Sequence, residues 1–172
     1  MKKVKAKVVV AGSPACGKTS LLQMYTSNGQ NFLKDYNMTQ GAEVSSKIVT
    51  FEEQDKDVEL FFFDISGQEC YVSITKELLG NSDLCVLVYD CTDVESFNSV
   101  SKWAEQIKKA NQNKLPPGIL VSTKNDMRGA ITIEIGQGKD LAQKLGLQYF
   151  EVSAARNIDI DQPFYLLAKK MI

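Results

Sequence analysis

The 172-residue sequence contains no histidine. That removes histidine general bases, Ser-His and Cys-His nucleophile pairs, and the usual mixed zinc sites. Arginine is almost as scarce, with Arg128 and Arg156 the only two. The four cysteines, Cys16, Cys70, Cys85 and Cys91, form no Cys-x-x-Cys pair, so no zinc or redox motif is present. Cys85 falls inside an apolar run and reads as a small buried hydrophobe. Charge of neither sign is in excess: Lys plus Arg is 20, Asp plus Glu is 21, and the net charge is −1. A polyanion-binding domain would carry a basic excess, which argues against bulk nucleic-acid binding. The early apolar segment Val8-Val9-Val10-Ala11 stops at Gly12-Ser13-Pro14, too short for a leader or a membrane span. A reducing, cytosolic compartment is the expectation. Met1-Lys2 lacks the glycine that myristoylation needs, and Lys169-Lys170-Met171-Ile172 is not a prenylation box. A chain ending there would have no lipid anchor of its own.

What is present is ordinary globular composition, 44% hydrophobic and 24% charged, at a length that suits one domain over residues 1–172. Short apolar runs alternate with helical patterns, the signature of an α/β sheet with crossover helices on both faces. Strands are expected over Val4–Ala11, Ala42–Phe51, Val58–Asp64, Leu84–Tyr89, Ile119–Ser122 and Tyr149–Val152. The second and third flank the charged tip Glu52–Lys56 and read as an antiparallel hairpin. Helices are expected over Thr19–Ser27, Glu95–Ala110, Gln137–Leu145 (stopped by Gly146) and Asp161–Lys170, with Asp161 as N-cap and Pro163 in the first turn. Ligands on such sheets sit at the carboxyl ends of the strands, and the motifs fall there.

Gly12-Ser13-Pro14-Ala15-Cys16-Gly17-Lys18-Thr19 fits G-x-x-x-x-G-K-[ST] between a strand and a helix. Backbone N–H groups and the helix dipole favour phosphate there, Lys18 adds a point charge, and the Thr19 hydroxyl suits Mg²⁺. Pro14 has no N–H to donate. Cys16 stands at a helix start, a position that lowers thiol pKa in general. Asp64-Ile65-Ser66-Gly67-Gln68 follows the run Leu60–Phe63. Asp64 suits a Mg²⁺ site, Gly67 permits close backbone approach to a γ-phosphate, and Gln68 can orient an attacking water. At the next strand end, Thr123-Lys124-Asn125-Asp126 supplies a carboxylate that accepts two hydrogen bonds from guanine. Adenine would leave part of it unpaired, at a cost of about 1–3 kcal/mol. The Lys124 stem can lie along the base. In Ser153-Ala154-Ala155 a small residue lets the Ala154 N–H reach guanine O6.

Together these motifs resemble the small GTPase superfamily over nearly the whole chain. Ser96-Phe97-x-x-Val100-x-x-Trp103 is similar to Rab proteins. Residues 26–39, Val58-Glu59-Leu60-Phe61, Leu115-Pro116-Pro117-Gly118 and Pro163-Phe164 resemble, more narrowly, the Rab-like members of the intraflagellar transport B complex. The resemblance implies a six-stranded, mostly parallel sheet with five helices. It implies GTP or GDP with Mg²⁺, the phosphates lying along Gly12 to Thr19 and on to Ser20. It puts Phe32 edgewise on guanine, Tyr36 and Thr39 in a first switch, and Gln68 in a second. Thr19, Thr39 and Asp64 are the implied metal set, and Gln68, Lys18 and Thr39 the catalytic set. The base set is Thr123, Lys124, Asp126, Ser153, Ala154 and Ala155. The implied partners are a small β-sandwich transport subunit in a heterodimer, other subunits of that complex, and an activating protein or exchange factor, in the cilium and at its base. Four residues depart from the pattern: Pro14, Met38 in place of proline, Thr123 in place of asparagine, and Ala155 in place of lysine. With no arginine in the phosphate loop or switches, slow intrinsic hydrolysis is expected. A nucleotide-filled adaptor with negligible turnover, or a conventional vesicle-trafficking Rab, is the alternative. A kinase on the same loop is disfavoured, for want of an arginine-rich lid and because Asp126 prefers guanine.

Overall fold

The computed structural model describes residues 2–172 apart from Leu33 and Tyr36, and leaves out the side chains of Glu69 and Val72. The expected first-switch residue Tyr36 thus lies outside the described residues.

Six strands form one sheet: β1 (Lys2–Ala11), β2 (Ala42–Phe51), β3 (Lys56–Ile65), β4 (Leu84–Asp90), β5 (Gly118–Thr123) and β6 (Gln148–Glu151). Their order is β2-β3-β1-β4-β5-β6. All neighbours are parallel except β2 and β3, the expected antiparallel hairpin. Strand composition explains position. Every residue of β4 and β5 is buried, as central parallel strands require, whereas β2 mixes half-buried and exposed residues, as an edge does. The hairpin ladder runs from Phe51↔Lys56 at its tip to Ala42↔Ile65, and the Ser66 N–H then donates to the Gly41 carbonyl at 2.8 Å.

Five α-helices flank the sheet: α1 (Lys18–Thr26), α2 (Val72–Leu79), α3 (Val94–Ala110), α4 (Ile135–Leu145) and α5 (Asp161–Lys169). Alternation in β1 sends Val8 and Val10 to one face and Val9 and Ala11 to the other. The first face packs Leu21 and Tyr25 of α1 and Phe164 and Leu167 of α5. There Tyr25 stacks on Phe164 at 4.1 Å and meets Phe62 edge-on at 5.8 Å. The second face packs Leu79 of α2, Val100 and Ile107 of α3, and Ala142 of α4. Cys85 is fully buried there, and Trp103 is half-buried at its margin.

Local sequence signals account for the start of α3 and both ends of α4. The Asp93 side chain accepts from the Glu95 N–H at 3.0 Å at the start of α3. Glu134 and Gln137 form a capping box on α4, and Gly146 ends that helix at φ 69°. Two expectations are corrected. Asp161 is the first residue of α5, after an Ile160 N-cap, and its carboxylate pairs with Lys47 at 3.6 Å instead of capping. The residue-by-residue reading also passed over α2. It is only eight residues long, and its Ile74 is half exposed, off the face that buries Thr75 and Leu79.

Candidate functional site

Three chain segments converge at the carboxyl end of β1. The phosphate loop turns from β1 into α1 through two left-handed residues, Ala15 at φ 59° and Gly17 at φ 96°. Gly17 adopts this conformation at little cost, whereas Ala15 carries a steric penalty. Gly12 fits because a Cβ there would strike the Val88 carbonyl. Ser13 is tied to α3 by a 2.7 Å bond between its hydroxyl and that of Ser99. The buried Lys18 ammonium lies back along the loop, donating to the carbonyls of Gly12 at 3.0 Å and Ser13 at 2.8 Å. Cys16 is buried, and burial outweighs the neighbouring Lys18 and drives its thiol pKa up. The helix-start position does not make it a reactive thiolate.

The Thr19 hydroxyl meets two other segments at once, with Thr39 Oγ1 at 2.9 Å and Asp64 Oδ2 at 2.5 Å. Asp64 is buried at the end of β3 and its Oδ1 has no hydrogen-bond partner. Burial pushes its carboxyl up to about 6, opposed by the Thr19 hydroxyl and the Lys18 ammonium, and Glu43 adds to the rise. An orphaned carboxylate oxygen beside two hydroxyls is a hard-oxygen donor set, the chemistry that suits Mg²⁺. Among the described residues no group of three His, Cys, Asp or Glu could hold a metal.

Gly67 packs directly on the phosphate loop, where a Cβ would fall on the backbone of Gly12, Ser13 and Pro14. Gln68 follows it, with its amide nitrogen against the Met38 sulfur and its carbonyl oxygen accepting from the Cys70 thiol at 3.5 Å. A cavity of about 370 Å³ opens here, lined by Pro14, Ala15, Gly17 through Ser20, Phe32, Thr39, Ser66 through Gln68, and Lys124.

The base-side residues divide. Thr123 and Lys124 turn to the phosphate loop: Thr123 Oγ1 donates to the Cys16 carbonyl at 2.6 Å, and Lys124 Nζ donates to that of Ala15 at 3.1 Å. Asp126 and Ser153 turn to each other, the serine hydroxyl donating to Asp126 Oδ1 at 2.6 Å. Both line a neighbouring groove of about 910 Å³ that also takes in Arg128 and Arg156. The Asn125 amide fastens the two strand tips, donating to the carbonyls of Ser122 at 2.7 Å and Val152 at 3.2 Å. Ala154 packs partly buried against the core, and Ala155 is exposed.

Sequence reasoning passed over Asp90. Its buried carboxylate ends β4 and holds Lys124 Nζ at 2.5 Å. The available signal was an acid closing an apolar run, the same cue that picked out Asp64.

A glycine-lined anion cradle at a helix start, facing a carboxylate and two hydroxyls on a mostly parallel sheet, defines a nucleoside-triphosphate-binding protein of the small GTPase class. Residues 7–172 match the Ras family, and the chain belongs to it. The chain is 38% identical over 170 residues to intraflagellar transport protein 27 homolog of Mus musculus, covering 99% of this chain and 91% of that one. It is 35% identical over 171 residues to intraflagellar transport protein 27 of Chlamydomonas reinhardtii, covering 96% and 83%. Ras-related protein Rab-7b of Bos taurus is 34% identical over 174 residues, covering 99% and 84%. It is thus a Rab-like, GTP-binding member of the family, similar to intraflagellar transport protein 27. Among the described residues no helix is long and apolar enough to cross a membrane.

Proposed function

We propose that this chain binds GTP and GDP with Mg²⁺, hydrolyses GTP slowly, and works as a switch within the intraflagellar transport B complex. The observation that carries the reading is the meeting of Thr19, Thr39 and Asp64, drawn from three separate segments, around an unsatisfied buried oxygen. Lys18 and the loop N–H groups hold the β- and γ-phosphates. Thr19, Thr39 and Asp64 hold Mg²⁺, which when bound neutralises charge on the phosphate oxygens. Thr39 belongs to the loop after α1 and Gly67 to the loop after β3, so both loops reach the γ-phosphate position and are released when it leaves. Gln68 orients the attacking water. Asp126, fixed by Ser153, accepts from guanine, with Ala154, Ala155 and Thr123 around the base and Phe32 against its edge.

Both arginines lie on the neighbouring groove, outside the phosphate cavity. An arginine at the transferring phosphate is worth roughly 10³–10⁵ in rate. Fast hydrolysis therefore requires a residue from an activating protein. A small β-sandwich subunit in a stable heterodimer, other transport B subunits, and a site of action in the cilium and at its base complete the reading. The names of the transport relatives support a place in intraflagellar transport.

One observation favours a second reading, a nucleotide-filled adaptor: Gln68 is engaged by Met38 and Cys70. Denaturing the purified protein and identifying the released nucleotide by chromatography tests both. GDP or GTP is expected, and ATP would overturn the role of Asp126. Single-turnover hydrolysis by wild type and Gln68→Leu then separates the readings. The switch requires a slow rate that the substitution lowers further, whereas an adaptor shows no difference.

A further inference from the structure

We infer that Asp90 is a positioning residue for the guanine-nucleotide site, acting through Lys124; this rests on the nucleotide-binding reading above. Its carboxylate is only 7% exposed and fully engaged. Oδ1 accepts from the Thr92 N–H at 2.8 Å and the Thr92 hydroxyl at 2.7 Å. That bidentate cap fixes the plane of the carboxylate and leaves Oδ2 facing the Lys124 ammonium at 2.5 Å. The backbone beneath is fixed as well, since the Asp90 N–H donates to the Ser96 hydroxyl at 3.0 Å.

Lys124 needs such a holder. Its side chain is 38% exposed and its backbone is left-handed at φ 60°. A four-carbon stem with a hydrated head at the rim of a cavity would otherwise spread over many rotamers. With the head pinned by Asp90, the ammonium also donates to the carbonyl of Ala15, itself left-handed at φ 59°. One line of contacts thus runs from the end of β4, through Lys124, to the strained corner of the phosphate loop. The same pin lays the apolar stem of Lys124 along the wall of the cavity that it lines. A buried carboxylate anchoring a half-exposed lysine preorganises the site before nucleotide arrives, and loss of that order is read mainly in the release rate.

The test uses Asp90→Asn, Lys124→Met and the double variant, each loaded with a fluorescent GDP analogue and chased with excess GDP. Asparagine keeps an acceptor for Thr92 and removes the charge that holds Lys124. Release is expected to accelerate by about tenfold in each single variant, the scale of one charge-assisted hydrogen bond. The double variant should match Lys124→Met within about twofold, because both act through one side chain. Multiplicative effects, or release from Asp90→Asn within about twofold of wild type, overturn the inference. So does an Asp90→Asn protein that fails to fold, since Asp90 is then a structural cap for the Thr92 turn. If wild type itself retains no GDP, the nucleotide reading fails, an outcome distinct from an unchanged rate in a GDP-bound protein.

Discussion

The site is built from two kinds of chain. The strand tips around Thr123, Asn125 and Ser153 are held by repeated, buried or part-buried bonds to neighbouring tips and to the phosphate loop. The loops that carry Thr39 and Gln68 are held differently. Thr39 is joined to the site by one hydroxyl contact with Thr19, and the Gln68 side chain rests on Met38 and Cys70, both exposed. Parts that must keep one geometry are over-determined by several bonds. The parts that the proposed switch requires to respond to a phosphate are held by few, so on that reading loss of one contact would free them.

The largest test of that contrast removes the loop's own charge. Lys18→Met should weaken GDP and GTP alike, by roughly a hundredfold or more, in fluorescence titration. An effect confined to GTP would put Lys18 with the responsive parts instead of the fixed ones. Next comes Asp64→Asn. Asp64 is raised from 3.8 to about 6 in the fold. A raised acid favours the folded state only when protonated, so its penalty is absent below about pH 4, builds between pH 4 and 6, and is complete above. At about 1.4 kcal/mol per pKa unit, the apo variant should be roughly 2–3 kcal/mol more stable at pH 7 and no more stable at pH 4. Urea unfolding at both values, without nucleotide or Mg²⁺, measures it. The same variant should lose its Mg²⁺-dependent nucleotide affinity, a direct trade of stability for binding.

A smaller effect separates the two kinds of chain most cleanly. Thr39→Ala should weaken GTP by about tenfold and leave GDP within about twofold, because only the γ-phosphate recruits that loop. Equal losses would make Thr39 part of the fixed frame. The smallest is Ala15→Gly. Relieving a left-handed alanine should stabilise the fold by about 0.5–1 kcal/mol, seen as a higher urea midpoint.

The sheet was legible because its strands differ in burial, and burial is written in residue type. The continuous apolar run of β4 and the alternation of β2 each imply their place. Helix α2 was passed over because it is only eight residues long and the exposed Ile74 interrupts the short stripe that buries Thr75 and Leu79. The phosphate loop was legible because all its chemistry sits within eight consecutive residues. The base side was legible only in part. The sequence names Thr123 and Lys124 but cannot say that both turn toward carbonyls of the phosphate loop, more than a hundred positions away in the chain. The pairing of Asp90 was missed for the same reason, since its partner Lys124 lies just past the end of the following strand, β5. Asp161 was misassigned as a cap because an N-cap and a first-turn acid look alike in sequence, and Lys47 of β2 decides which it becomes.

The antiparallel ladder between β2 and β3 closes at Ala42 and Ile65, and one further bond joins Gly41 to Ser66. Thr39 and Gly67 therefore hang from the two strands at one end of a single zipper. On the proposed reading, a binding protein that grasped the outer edge of β2 would bear on both loops together while standing clear of the nucleotide, so docking and timing would share one grip.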